Sequence, residues 1–90
     1  MLYGKLIEFR VLVTFPSLTE VFGAERILKR NNCPYASITT PRILRSGCNV
    51  AFCFPLDRRE IIEDLIDGGI VFTGVFEARD DGFFLLGEED

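Results

Sequence analysis

Two strand-like runs in this chain lead straight into amphipathic helices, and that order leaves few ways to fold it. Residues 7–15 alternate with period two. Ile7, Phe9, Val11, Val13 and Phe15 fall on one face, and Glu8, Arg10, Leu12 and Thr14 on the other, the pattern of a half-buried strand. Pro16-Ser17-Leu18-Thr19 then opens a helix, with Ser17 as N-cap and Glu20 completing a capping box. Leu18, Val21, Ala24 and Leu28 recur at helical spacing and are expected to face a sheet. Asn31-Asn32 ends the helix, because Asn tolerates the left-handed conformation.

The pattern then repeats with a strand added. A second strand is expected over 35–40, closed by Pro41, and a third over 50–54, with Val50, Phe52 and Phe54 on one face and Ala51 and Cys53 on the other. Residues 41–49 connect them. Pro55 stops the third strand, and Asp57 with Glu60 reads as a second capping box. Ile61, Ile62, Leu65 and Ile66 give the second helix its apolar side, and Gly68-Gly69 ends it through a positive φ. A fourth strand covers 70–78. Asp81-Gly82 signals a hairpin turn into a short fifth strand through Phe83-Phe84-Leu85-Leu86, with 87–90 a solvated end.

Strand, helix, strand, strand, helix, strand is a split βαββαβ order, and the fold class is α+β. Right-handed crossovers favour an antiparallel sheet in the order 4-1-3-2 with both helices on one face. Ninety residues make one domain, with a core at about 7–78 and a C-terminal hairpin or tail at 79–90. Hydrophobic residues are 48% of the chain, nine of them Phe. That exceeds what one small core needs, so Leu12, Phe72, Phe76, Phe83 and Phe84 are candidates for an open, helix-free sheet face covered by a homodimer.

Composition also excludes functions. A net charge of −4 gives no general attraction for phosphate backbones, so nucleic acid is not expected as a partner. No secretory signal and no membrane-length apolar run stands in the sequence, which reads as cytoplasmic with no membrane partner. The chain has no His, so Cys-His and Ser-His catalysis are ruled out. Three cysteines without CxxC spacing form neither a disulfide framework nor a zinc pattern, so no metal and no cofactor are expected. No Gly-rich phosphate loop is present.

Strand directions place one of those cysteines. If strand one runs up, helix one starts at the top, and so does the loop 41–49, because strand two runs up as well. Cys48 therefore falls near the end of strand one and the start of helix one. Unpaired N–H groups in a helix's first turn carry partial positive charge, and a thiolate beside them is stabilised. Arg42 and Arg45 add to that effect, and Gly47 lets the backbone turn tightly and leaves the sulfur approachable.

Thr39-Thr40-Pro41-Arg42, Ser46-Gly47-Cys48 and Val50-Ala51-Phe52 together resemble a small family of bacterial selenium/sulfur carrier-like proteins. Thr14-Phe15-Pro16-Ser17, Ala24-Glu25-Arg26-Ile27-Leu28-Lys29 and Gly74-Val75-Phe76-Glu77 match the same family in order, and the similarity covers roughly 9–78. The resemblance implies a ferredoxin-like domain with a cysteine in its middle loop, carried here by Cys48. The family usually has Gly directly after that cysteine, where this chain has Asn49.

Residues and resemblance together suggest a thiol carrier rather than a stand-alone enzyme. Cys48 is the candidate acceptor of sulfur or selenium as a persulfide or selenosulfide, with Arg42, Arg45, Ser17 and Gly47 supporting it and donor and acceptor proteins as partners. Cys33 reads as an apolar filler. Cys53 reads as buried in a dimer or as a resolving thiol, although about 16 Å of strand separates it from Cys48. The alternative is a non-catalytic interaction or regulatory module that dimerises through its open sheet face, with Cys48 an ordinary loop cysteine and the arginines solvated. A small-ligand sensor using a dimer cleft is a third reading.

Overall fold

A computed structural model describes residue 6, residues 8–44 and residues 47–86. Strand β1 (Val11–Thr14) is buried along its whole length, because it is the middle strand and both sheet faces are covered there. Helix α1 (Leu18–Arg30) follows, then β2 (Ala36–Thr39), a 3-10 turn at Arg42–Leu44, β3 (Val50–Phe54), a second 3-10 turn at Leu56–Arg58, α2 (Ile61–Asp67), β4 (Gly74–Arg79) and β5 (Gly82–Leu85). The class is α+β. The sheet is antiparallel in the order β2-β3-β1-β4-β5. Read from the opposite edge, the first four strands stand 4-1-3-2, and β5 pairs back on β4 as the Asp81-Gly82 turn leads one to expect.

The period-two pattern sorts side chains between two apolar clusters. Val11, Val13, Phe15, Phe52, Phe54 and Val75 meet Val21, Ala24, Ile27 and Leu28 of α1 and Ile61 and Leu65 of α2. Both helices therefore share one face. Phe15 and Tyr35 each pack edge-on to Phe52, with ring centroids 5.6 and 5.1 Å away. On the other face Leu12, Ala51, Cys53 and Ala78 form a second cluster with Leu6.

Leu6 changes the expected picture of that second face. Leu6 and Glu8 are helical rather than part of a strand from residue 7, and β1 begins at Val11; Ile7 lies outside the described residues. Leu6 and Phe9, three apart, both reach the second cluster, a spacing that suits one side of a helical turn and not one side of a strand, so Phe9 leaves the face it was expected to share with Val11. Leu6 and Leu12 are fully buried, so the chain covers the centre of its own sheet face. Phe72 belongs to the helix side instead, and Phe76 and Phe83 are half-buried against the second cluster. Phe84 lies under the Arg79 guanidinium, 4.4 Å from its ring centroid. The centre of that face is therefore covered by Leu6, and Leu12, expected to be exposed on it, is not.

Helix ends depart from expectation in a consistent way. Neither Ser17 nor Glu60 makes a side-chain cap. Glu20 accepts the Val71 N–H at 2.8 Å instead of closing a capping box, and Asp57 sits in a 3-10 turn that precedes α2. That use of Glu20, with Ile70 packed where a methyl on Gly23 would come within 2.7 Å, holds 70–73 against α1 and delays β4 to Gly74. Leu18 stands off the edge of the buried stripe and is 51% exposed rather than facing the sheet. At its far end α1 closes as the sequence implies. Asn32 takes φ 54, and the Cys33 N–H reaches the Leu28 carbonyl at 2.9 Å.

Candidate functional site around Cys48

Register fixes which residues share one end of the sheet. Thr14 pairs with Ala51 and Gly74, and Thr39 with Val50, so the loop into β3 meets the end of β1 where α1 begins. Gly47 makes that approach possible. Its φ is +135, and a methyl there would come within 2.8 Å of the Pro16 carbonyl oxygen and 3.0 Å of its Cα, so only glycine fits without displacement.

Cys48 is then tied on several sides. Its N–H donates to the Phe15 carbonyl at 3.1 Å, and its carbonyl accepts from the Thr40 hydroxyl at 3.1 Å. The Thr40 N–H donates to the Asn49 carbonyl at 2.7 Å. The Val50 N–H points at Cys48 Sγ, 3.4 Å away, a donor whose bond strengthens if the sulfur carries charge. The Cys48 side chain is partly buried against the helix-side cluster, neither sealed in it nor turned to the opposite end of the sheet.

The other cysteines are differently placed. Cys33 is buried in the helix-side cluster, its thiol 3.5 Å from the Pro34 carbonyl, and burial pushes that thiol up while Arg58 pulls the other way. Cys53 is fully buried in the second cluster, its thiol 3.7 Å from the Ala36 carbonyl. None of the three is in a disulfide.

Of the expected supporting residues, Gly47 packs against Pro16, the residue before Ser17 at the start of α1. Arg42 is exposed in the 3-10 turn of the same loop and makes no ion pair among the described residues. Arg45 and Ser46 lie outside the described residues. Ser17 holds the N-cap position with extended backbone, its carbonyl accepting the Val21 N–H at 3.3 Å. Thr40, fully buried, is the residue that sequence reasoning passed over. Among the hydroxyls of Ser37, Thr39 and Thr40, Thr40 is the buried one, and a buried donor must find an acceptor, a difference the sequence does not mark. Among the described residues no group of three or more His, Cys, Asp or Glu is placed to hold a metal ion, and no helix is long and apolar enough to cross a membrane.

Comparison with known proteins adds one finding. No curated protein and no solved structure matches the chain. A family described as "Putative Se/S carrier protein-like" matches residues 10–77, from the residue before β1 into β4, with Thr40, Gly47 and Cys48 inside the match. Asn49, where that family was expected to carry glycine, needs no positive φ here, because Gly47 makes the turn. The chain belongs to this Se/S carrier protein-like family.

Proposed function

We propose that the protein is a carrier of sulfur or selenium that loads on Cys48. One observation carries the reading: Cys48 is the cysteine that is not buried, and its backbone is bonded to the ends of both neighbouring strands. A sulfur that must meet two partner proteins in turn needs access and a fixed position, and the buried Cys33 and Cys53 have no such access.

The transfer needs no further base and no redox partner. The Cys48 thiolate attacks the outer sulfur of a donor's persulfide, R–S–SH. A new S–S bond forms at Cys48, the donor's S–S bond breaks, and the donor leaves as a thiolate. Atoms and charge balance, and the transferred sulfur keeps its oxidation state. Selenium would follow the same exchange as a selenosulfide. The Val50 N–H, 3.4 Å from Cys48 Sγ, is the donor beside the sulfur, and Arg42 stands in the same loop. Donor and acceptor proteins are the expected partners, and a reducing cytoplasm suits a carrier thiol. The split βαββαβ core with β5 added suits a ferredoxin-like domain. A module dimerising through an open sheet face draws no support from a face whose centre Leu6 closes.

The test is loading. The protein is incubated with a small-molecule persulfide donor and its peptides are weighed without reductant. The expected result is one added sulfur on the peptide containing Cys48 and none after Cys48→Ser. Equal loading of the Ser variant, or sulfur on Cys33 or Cys53, rejects the proposal.

A further inference from the structure

An open groove of about 1140 Å³ lies between α2 and the β4 side of the sheet. Ile62, Ile66, Phe72 and Val75 give it an apolar lining, and Ile66 is 58% exposed. Acidic side chains outnumber basic ones along it: Asp57 and Glu63 line it, and α2 carries no basic residue. Glu60 and Glu77, also at the groove, pair with Arg58 and Arg79, and Arg59 is the cation that lines it.

The opposite character appears on the outer side of α1. Leu18 and Phe22, one turn apart, are 51% and 56% exposed, and Arg26 and Lys29 continue the same helical stripe. Arg30 follows in the last turn, and Glu25, on the same side, is paired with Lys29. Two large apolar side chains with basic neighbours on one exposed stripe are more than scattered surface hydrophobes.

We propose that the groove seats the α1 stripe of a second copy of this chain, with Leu18 and Phe22 of the partner subunit against the apolar lining and its basic residues against the acidic residues of the groove. The stripe from Leu18 to Lys29 spans about 16 Å at the rise of a helix, a length that a groove running beside α2 can hold. The contact joins two different patches, and each chain carries one of each, so contacts either close in a pair or ring or repeat along a row. It does not depend on what Cys48 carries.

Sedimentation of the full chain over rising concentration tests this, at low and high salt, with Phe22→Ser, Glu63→Lys and Ile66→Ser. The wild type assembles, and more weakly in high salt. Each variant weakens assembly on the order of tenfold or more. A mixture of Phe22→Ser, which keeps its groove, with Glu63→Lys, which keeps its α1 stripe, regains one contact and sediments faster than either alone. All three side chains are exposed, so the fold should survive, and circular dichroism checks it. A chain that stays monomeric throughout, assembly untouched by the variants, or a mixture no larger than its components overturns the proposal.

Discussion

The Thr40 hydroxyl donates to the Cys48 carbonyl at 3.1 Å, so a fully buried side chain at the end of β2 holds the backbone of the cysteine that opens toward solvent. Thr40→Val keeps the shape and removes the donor. It should cost about 1 kcal/mol of stability, read from urea unfolding. It should also speed amide exchange at Cys48 and Asn49 relative to the rest of the sheet. Unchanged exchange at those two amides would mean the hydroxyl does not hold the loop.

Gly47→Ala should be more damaging than an exposed glycine substitution usually is. The left-handed φ alone disfavours a side chain, and the new methyl would meet the Pro16 backbone rather than a flexible side chain. The expected loss is about 1–3 kcal/mol, accompanied by a changed rate of Cys48 alkylation. Gly82→Ala is the control: it too has positive φ, but nothing stands within 4 Å of its added methyl, so it should cost less and leave Cys48 alone.

Tyr35 donates to Glu25 at 2.5 Å, and burial, with the hydrogen bond to Glu25 and its charge, pushes the phenol up to about 12 from its ordinary 10. The folded state therefore holds this proton more tightly than the unfolded chain. Its contribution to stability is fully present below about pH 10 and is lost as pH rises through about 12. Ultraviolet titration of wild type against Tyr35→Phe should place the Tyr35 phenolate step late, and Glu25→Gln should bring it earlier. A Tyr35 step at the ordinary value in the wild type would contradict the geometry.

Leu6→Ala tests whether the N-terminal turn truly closes the second sheet face. Leu6 is fully buried against Leu12, Ala51, Cys53 and Ala78, so truncation should cost about 2–5 kcal/mol and make Cys53 alkylate faster. A surface-like cost, within about 0.5 kcal/mol, would mean the face is open after all.

Much of this was legible in the residues. Alternation at Val11, Val13 and Phe15 and at Val50, Phe52 and Phe54 assigned two strands to the correct face, and the topology that followed put Cys48 at the start of α1, where the Gly47 approach to Pro16 finds it. Two things were hidden. Ile7, Phe9 and Val11 alternate as a strand does, while Leu6 and Phe9 share a side only at a helix's i, i+3 spacing, and in so short a run the alternation masks the helical turn. Glu20 is a capping residue by position, but a tertiary partner, the Val71 N–H, takes its carboxylate. Thr40 belongs to the same class, since its role is set by a residue eight positions away that sequence spacing does not announce.

The most direct measurement is the mass of the protein as the cell makes it, isolated without reductant and without added donor. The account predicts a fraction of chains heavier by one sulfur or one selenium, with the extra atom on the peptide containing Cys48 and absent from Cys48→Ser. Protein that carries the plain thiol at Cys48 in every chain, or the extra atom on a buried cysteine, would contradict it.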